Sequence, residues 1–145
     1  MSPKIHKYNP CVKTRGSRFL KMIAWGCAKA MHDSGAEIAL TYLNDKARPY
    51  VEPLAKAVEA SLLMPLEVRD PAQVDALFEA MTSNWGSLDI LVHSIAFAPR
   101  EALAGRVADC PLDGFLTAMD VSCWSRIDLT RRAEKLMTSG GTILR

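Results

Sequence analysis

Short apolar runs and segments with helix-spaced apolar residues take turns along this chain. Ile38-Ala39-Leu40-Thr41-Tyr42, the run from Leu62 to Val68, and Ile90-Leu91-Val92 after Leu88-Asp89 read as strands. Thr142-Ile143-Leu144, after Gly140-Gly141, reads as the start of another. Between them, Ile23, Cys27, Ala30 and Met31 fall at helical spacing up to Ser34, and Gly35 follows where a C-cap glycine belongs. Asn44-Asp45 supplies capping residues for a helix running around Pro49 and Pro53 to about Ala60. Asp70-Pro71 is an N-cap followed by proline at the first helical position. The helix it opens carries Val74, Leu77, Phe78 and Met81 and ends at Trp85-Gly86. From Leu112 to about Met137, Phe115, Leu116, Met119, Val121 and Leu129 predict one long helix with an irregularity near Ser122.

Ile90-Leu91-Val92 lacks strict alternation, as expected of a parallel strand covered on both faces. Strands alternating with helices over short connections predict an α/β fold, a Rossmann-like doubly wound parallel sheet. In such sheets ligands gather beyond the carboxyl ends of the strands, which directs attention to Ser94 through Pro99. Residues 1–21 are basic and polar with two prolines, and read as a leader of uncertain order or a weak first strand, its candidate Pro10 to Arg15. Residues 22–145 form the partial domain.

At 145 residues, with 49% hydrophobic and 23% charged positions, the chain suits one domain with a real core and excludes disorder throughout. The net charge of +2 calls for no nucleic acid, although Lys4, Lys7, Lys13, Arg15, Arg18, Lys21 and Lys29 precede the first acid, Asp33. Cys11, Cys27, Cys110 and Cys123 lack metal-ligand spacing and suit reduced thiols in a cytoplasm. No run reaches the length of a membrane span and no apolar core marks a secretory signal. Pro3, Pro10 and the scarcity of serine argue against an organelle-targeting leader.

Five pieces occur in order: Ile23-Ala24-Trp25-Gly26-Cys27-Ala28, Thr41-Tyr42-Leu43-Asn44-Asp45, Val68-Arg69-Asp70, His93-Ser94-Ile95-Ala96-Phe97-Ala98-Pro99 and Met119-Asp120-Val121-Ser122. Together they resemble the NADH-dependent enoyl-[acyl-carrier-protein] reductases, a branch of the short-chain dehydrogenase/reductase superfamily. The resemblance covers about residues 22 to 144, the N-terminal half of a family member.

It implies NADH as cofactor. By family position, Gly16 is the turn glycine at the pyrophosphate, or else part of an altered leader, because Lys13, Arg15 and Arg18 put charge where a buried strand holds aliphatic residues. Met22 and Ile23 stand where a Ser-Ile pair touches the phosphates. Leu43 lies near the adenosine ribose, where it can pack but cannot accept a hydrogen bond, and Glu67-Val68 takes the place of an Asp-Val pair beside the adenine. Ser94, Ile95 and Ala96 line the nicotinamide-ribose side, while His93 reads as a structural hydrogen-bonding residue. Tyr42 and Lys46 share the spacing of the superfamily's catalytic pair but sit at the wrong strand. The family's own tyrosine and lysine follow the fifth strand, so this chain, expected to be truncated within that strand, offers no catalytic residue and is expected to lack turnover. The implied activity is NADH-dependent reduction of trans-2-enoyl thioesters in fatty acid biosynthesis, with acyl-carrier-protein thioester as substrate. The alternatives are a noncatalytic nucleotide-binding or oligomer-interaction fragment, as a homo-oligomer or paired with a full-length relative, and a nonfunctional truncated product.

Overall fold

A computed structural model describes the backbone of residues 7–12 and residues 23–145 in full. Its elements are β1 (Lys7–Val12), α1 (Ile23–Asp33), β2 (Glu37–Tyr42), α2 (Arg48–Ala57), β3 (Leu62–Pro65), α3 (Pro71–Trp85) and β4 (Ile90–Ser94). Two short 3₁₀ turns, Arg100–Leu103 and Val107–Asp109, lead to α4 (Leu112–Met119), which passes through a π-turn at Asp120–Trp124 into α5 (Ser125–Glu134). The last strand is β5 (Thr142–Leu144).

All five strands are parallel in the order β3-β2-β1-β4-β5. The chain moves outward from β1 in one direction to β3, then crosses back to β4, so the order reverses between β1 and β4. In doubly wound sheets that reversal opens a crevice at the carboxyl ends. The first strand lies a few residues ahead of the candidate Pro10 to Arg15: Cys11 pairs with both Thr41 and His93. Residues 13–22 lie outside the described residues.

Successive side chains of a strand point to opposite faces, and β2 and β4 feed two cores accordingly. Ile38, Leu40, Tyr42 and Val92 pack with Ala24 and Ala28 of α1 and Val51 and Leu54 of α2. Ala39 and Leu91 pack on the other side with Leu77, Phe78 and Met81 of α3 and Leu129 and Ala133 of α5. Both faces of the sheet are therefore covered.

Local chemistry explains the boundaries. Asp70 is extended and its carboxylate accepts from the Ala72 amide at 3.0 Å, while Gly86 closes the helix in the left-handed region at φ 69°. α2 departs from the sequence reading. Its N-cap is Ala47, without a side-chain bond, because the Asn44 side chain accepts from the Ala47 amide one turn earlier and Asp45 caps nothing among the described residues. The helix ends at Ala57 rather than Ala60. The run predicted as strand to Val68 stops at Pro65, where Leu66 still donates to the Tyr42 carbonyl and the chain then turns, Asp70 donating to the Glu67 carbonyl. The predicted long helix is three pieces, with the irregularity centred on Ser122.

Candidate functional site

The carboxyl ends of β2, β3 and β4 frame a shallow cleft lined by Thr41, Leu43, Leu66, Glu67, Val68, Ile95 and Val121. Four of the residues singled out from the sequence thus meet in one place: Leu43, Glu67, Val68 and Ile95. Leu43 leaves β2 half-buried, and the Glu67-Val68 turn is held from behind, since the Glu67 amide donates to Gln73 Oε1 at 2.9 Å. Gln73 Nε2 in turn donates to Asp70 at 3.0 Å, so the cap of α3 also orders the cleft wall. The Glu67 carboxylate accepts from the Arg69 amide at 3.4 Å and is otherwise turned toward a partly open setting. Its oxygens are acceptors in an apolar surround, suited to a donor such as an exocyclic amine.

Other expected residues do not line the cleft. Ser94 is half-buried at the end of β4 and Ala96 is exposed beside it, whereas Ile95 between them is 7% exposed and belongs to the core. Ile23 begins α1 and is 86% exposed. Gly16 and Met22 lie outside the described residues.

His93, on β4 just ahead of the loop, is fully buried. Its Nε2 lies 2.8 Å from Ser125 Oγ, and that hydroxyl donates to the Val121 carbonyl at 2.6 Å. With its only proton given to Val121, Ser125 accepts from His93, which places the imidazole proton on Nε2. Nδ1 is then a buried acceptor with no partner among the described residues. Burial, with the cations Arg145 and Arg126 adding to it, holds the His93 pKa down to about 4. The ring is neutral at physiological pH and bridges β4 to the helix.

Ser122, Ser125 and the wall residues Thr41, Leu66 and Val121 escaped the sequence reading as site residues. Two serines three positions apart, at the anticipated break near Ser122, were the available signal.

The fold defines a Rossmann-type α/β domain: a parallel 3-2-1-4-5 sheet with a partly apolar, acid-bearing cleft at the carboxyl ends of its strands. Residues 20–145 match the family model described as enoyl-(acyl-carrier-protein) reductase, and the chain belongs to that family. It is 42% identical over 127 residues to the NADH enoyl-[acyl-carrier-protein] reductase of Synechocystis, covering 86% of this chain and 49% of that protein. With reductase 1 of Rhizobium meliloti the identity is 43% over 124 residues, covering 86% and 46%. Among solved structures, the enoyl reductase of Anaplasma phagocytophilum in complex with NAD superposes with a TM-score of 0.86 at 41% identity, covering 95% of this chain and 51% of that one. The Aquifex aeolicus enoyl-[acyl-carrier-protein] reductase (NADH) gives 0.86 at 37%, covering 95% and 54%. The chain spans about half the length of the relatives it matches.

Proposed function

We propose that these 145 residues carry the cofactor-holding half of an NADH-dependent enoyl-[acyl-carrier-protein] reductase of fatty acid biosynthesis. The observation that carries the reading is the convergence of Leu43, Glu67, Val68 and Ile95 on one cleft at the carboxyl ends of the sheet. The lining suits the adenosine end of a dinucleotide, with Leu43 as an apolar wall and Glu67 offering a carboxylate to the adenine amino group, while Ile95 belongs with the nicotinamide-ribose side. Bound NADH supplies a hydride. The chain's own part is to bind and orient it, with Ser94 and Ala96 beside the nicotinamide ribose, the Ile23 end of α1 toward the phosphates, and Gly16 and Met22 completing the phosphate turn. An acyl-carrier-protein thioester is the substrate class that goes with this reading, and the cytoplasm its location.

Titrating the purified chain with NADH, following energy transfer from tryptophan to nicotinamide, tests it. Saturable binding is expected, with Trp25 near the start of α1 as a reporter. A folded chain that does not bind NADH overturns the reading. In the same cuvette, an enoyl thioester should cause no loss of NADH absorbance with these residues alone.

A second reading rests on the outer face of α4 and α5, where Phe115, Leu116, Met119, Trp124 and Ile127 are each 41–55% exposed. Such a surface suits association with another copy or with a full-length relative. Sedimentation velocity showing only monomer, with and without the relative, would remove this reading.

A further inference from the structure

The π-turn between α4 and α5 is tied to β4 and its loop at both ends. A π-turn admits one extra residue into the helical ladder, and here the Ser125 amide reaches back five residues to the Asp120 carbonyl. The widened turn lets α4 and α5 keep separate packing. Gly114 of α4 lies so close to Ala102 that an added Cβ would come within 2.9 Å of the alanine methyl, while Val121, Ser125, Leu129 and Ala133 form a buried stripe at four-residue spacing on the sheet. Beside that stripe, Ser122 faces the loop after β4. Its hydroxyl accepts from the Phe97 amide at 3.1 Å and donates to the Phe97 carbonyl at 3.2 Å. One hydroxyl thereby serves both backbone groups of Phe97. Four residues earlier in the loop strand, His93 makes its bond to Ser125. The two ties, Phe97 to Ser122 and His93 to Ser125, fix the register between the strand exit and the helix; Ile95, between the ties on the strand side, and Val121, next to Ser122 on the helix side, both line the cleft.

We propose that Ser122 is a positioning residue: carried by the π-turn and indexed by the His93–Ser125 bond, it sets the conformation of the Ser94–Pro99 loop and so the shape of the cofactor cleft. This rests on the cofactor reading only for the last step, since the loop conformation can be observed without NADH.

The test is amide hydrogen exchange on the free chain, with NADH titration in parallel, for Ser122→Ala and Ser122→Thr. Ser122→Ala should raise exchange at Phe97 and its loop neighbours by about tenfold, the size of one lost hydrogen bond, and leave Leu91 to His93 in β4 unchanged. Ser122→Thr, which keeps the hydroxyl, should restore protection. NADH affinity should follow the same order, weakened about tenfold in the alanine variant and recovered in the threonine variant. Loop exchange unaltered in Ser122→Ala overturns the proposal, as does a rise that extends equally through β4 or that threonine fails to reverse. If the wild-type chain binds no NADH, the cofactor reading falls, and the exchange pattern still decides the role of Ser122.

Discussion

The two faces of the sheet are built differently. On the α1/α2 side the core is rich in alanine: Ala24, Ala28, Ala36, Ala47 and Ala55 accompany Ile38, Leu40 and Val51. On the α3/α5 side the interior is larger and partly polar, with Leu77, Met81, Trp85, Leu91 and Leu129 around the buried His93–Ser125 pair. Small residues such as Ala24 and Ala28 form the face of α1 buried against the sheet. On the α5 side a buried histidine bridges strand and helix through Ser125. One face is made for close approach and the other for a defined connection. The cleft lies on the second, because Ile95 and Val121, which form part of its wall, belong to that core.

The largest effect that would break this contrast is cavity formation on the bulky side. Leu129→Ala, at a 1% exposed site, should cost about 3–4 kcal/mol of unfolding free energy in urea titrations, whereas Val51→Ala on the alanine-rich side should cost about 2 kcal/mol, having fewer methyl groups to lose. Equal losses would mean that the two cores carry the fold alike.

Acidification probes the polar element of the same side. The His93 pKa is held to about 4 in the folded chain against an unfolded value near 6.5. Between those values the unfolded chain takes a proton that the folded one refuses. The contribution of the neutral imidazole is therefore fully present above pH 6.5 and is lost as pH falls toward 4, on the order of 2–3 kcal/mol in all. Urea midpoints measured from pH 7 to pH 4 should show this decline, and His93→Gln should flatten it relative to the wild type. A wild-type curve as flat as the variant's would show that the ring is not held neutral.

Smaller effects sharpen the picture at the rim. Asp70→Ala removes the cap of α3 and the support it lends Gln73 behind the Glu67 turn, and should cost about 1 kcal/mol in the same urea assay. NADH affinity should fall with it if the Gln73 contact orders the cleft. Least of all, Asp75→Asn removes the tie from α3 to Arg132 of α5, which Asp128 also holds at 3.1 Å. The Asp75 side chain is 55% exposed, so a loss of less than about 1 kcal/mol is expected, vanishing in high salt. A large, salt-independent loss would make that ion pair a principal link between the helices.

Much of this arrangement is legible in the residues. The Asp70-Pro71 start and Trp85-Gly86 stop of α3 coincide with the observed helix because both ends use side-chain and glycine chemistry that acts within a few positions. The apolar run at Ile90-Leu91-Val92 reads as a doubly covered strand and is one, since Val92 packs into one core and Leu91 into the other. The helix after Asn44-Asp45 is less legible: Pro49 can occupy its first turn, but which upstream residue caps it depends on how the turn from β2 folds back. Of the residues singled out from the sequence, Leu43, Glu67, Val68 and Ile95 line one cleft, whereas nothing in a linear reading pairs Phe97 with Ser122 or His93 with Ser125, 25 and 32 positions apart.

Local patterning was enough for the alternation of strand and helix, the parallel class of the sheet, and the loop after β4 as the place to look, because hydrophobic period, caps and turn residues act over a few positions. The choice of tautomer at His93, the widened turn at Asp120–Trp124 and the joining of three strand ends into one cleft came from tertiary packing. Each depends on hydrogen bonds or contacts between residues far apart in the chain, whose geometry is set only once both faces of the sheet are covered.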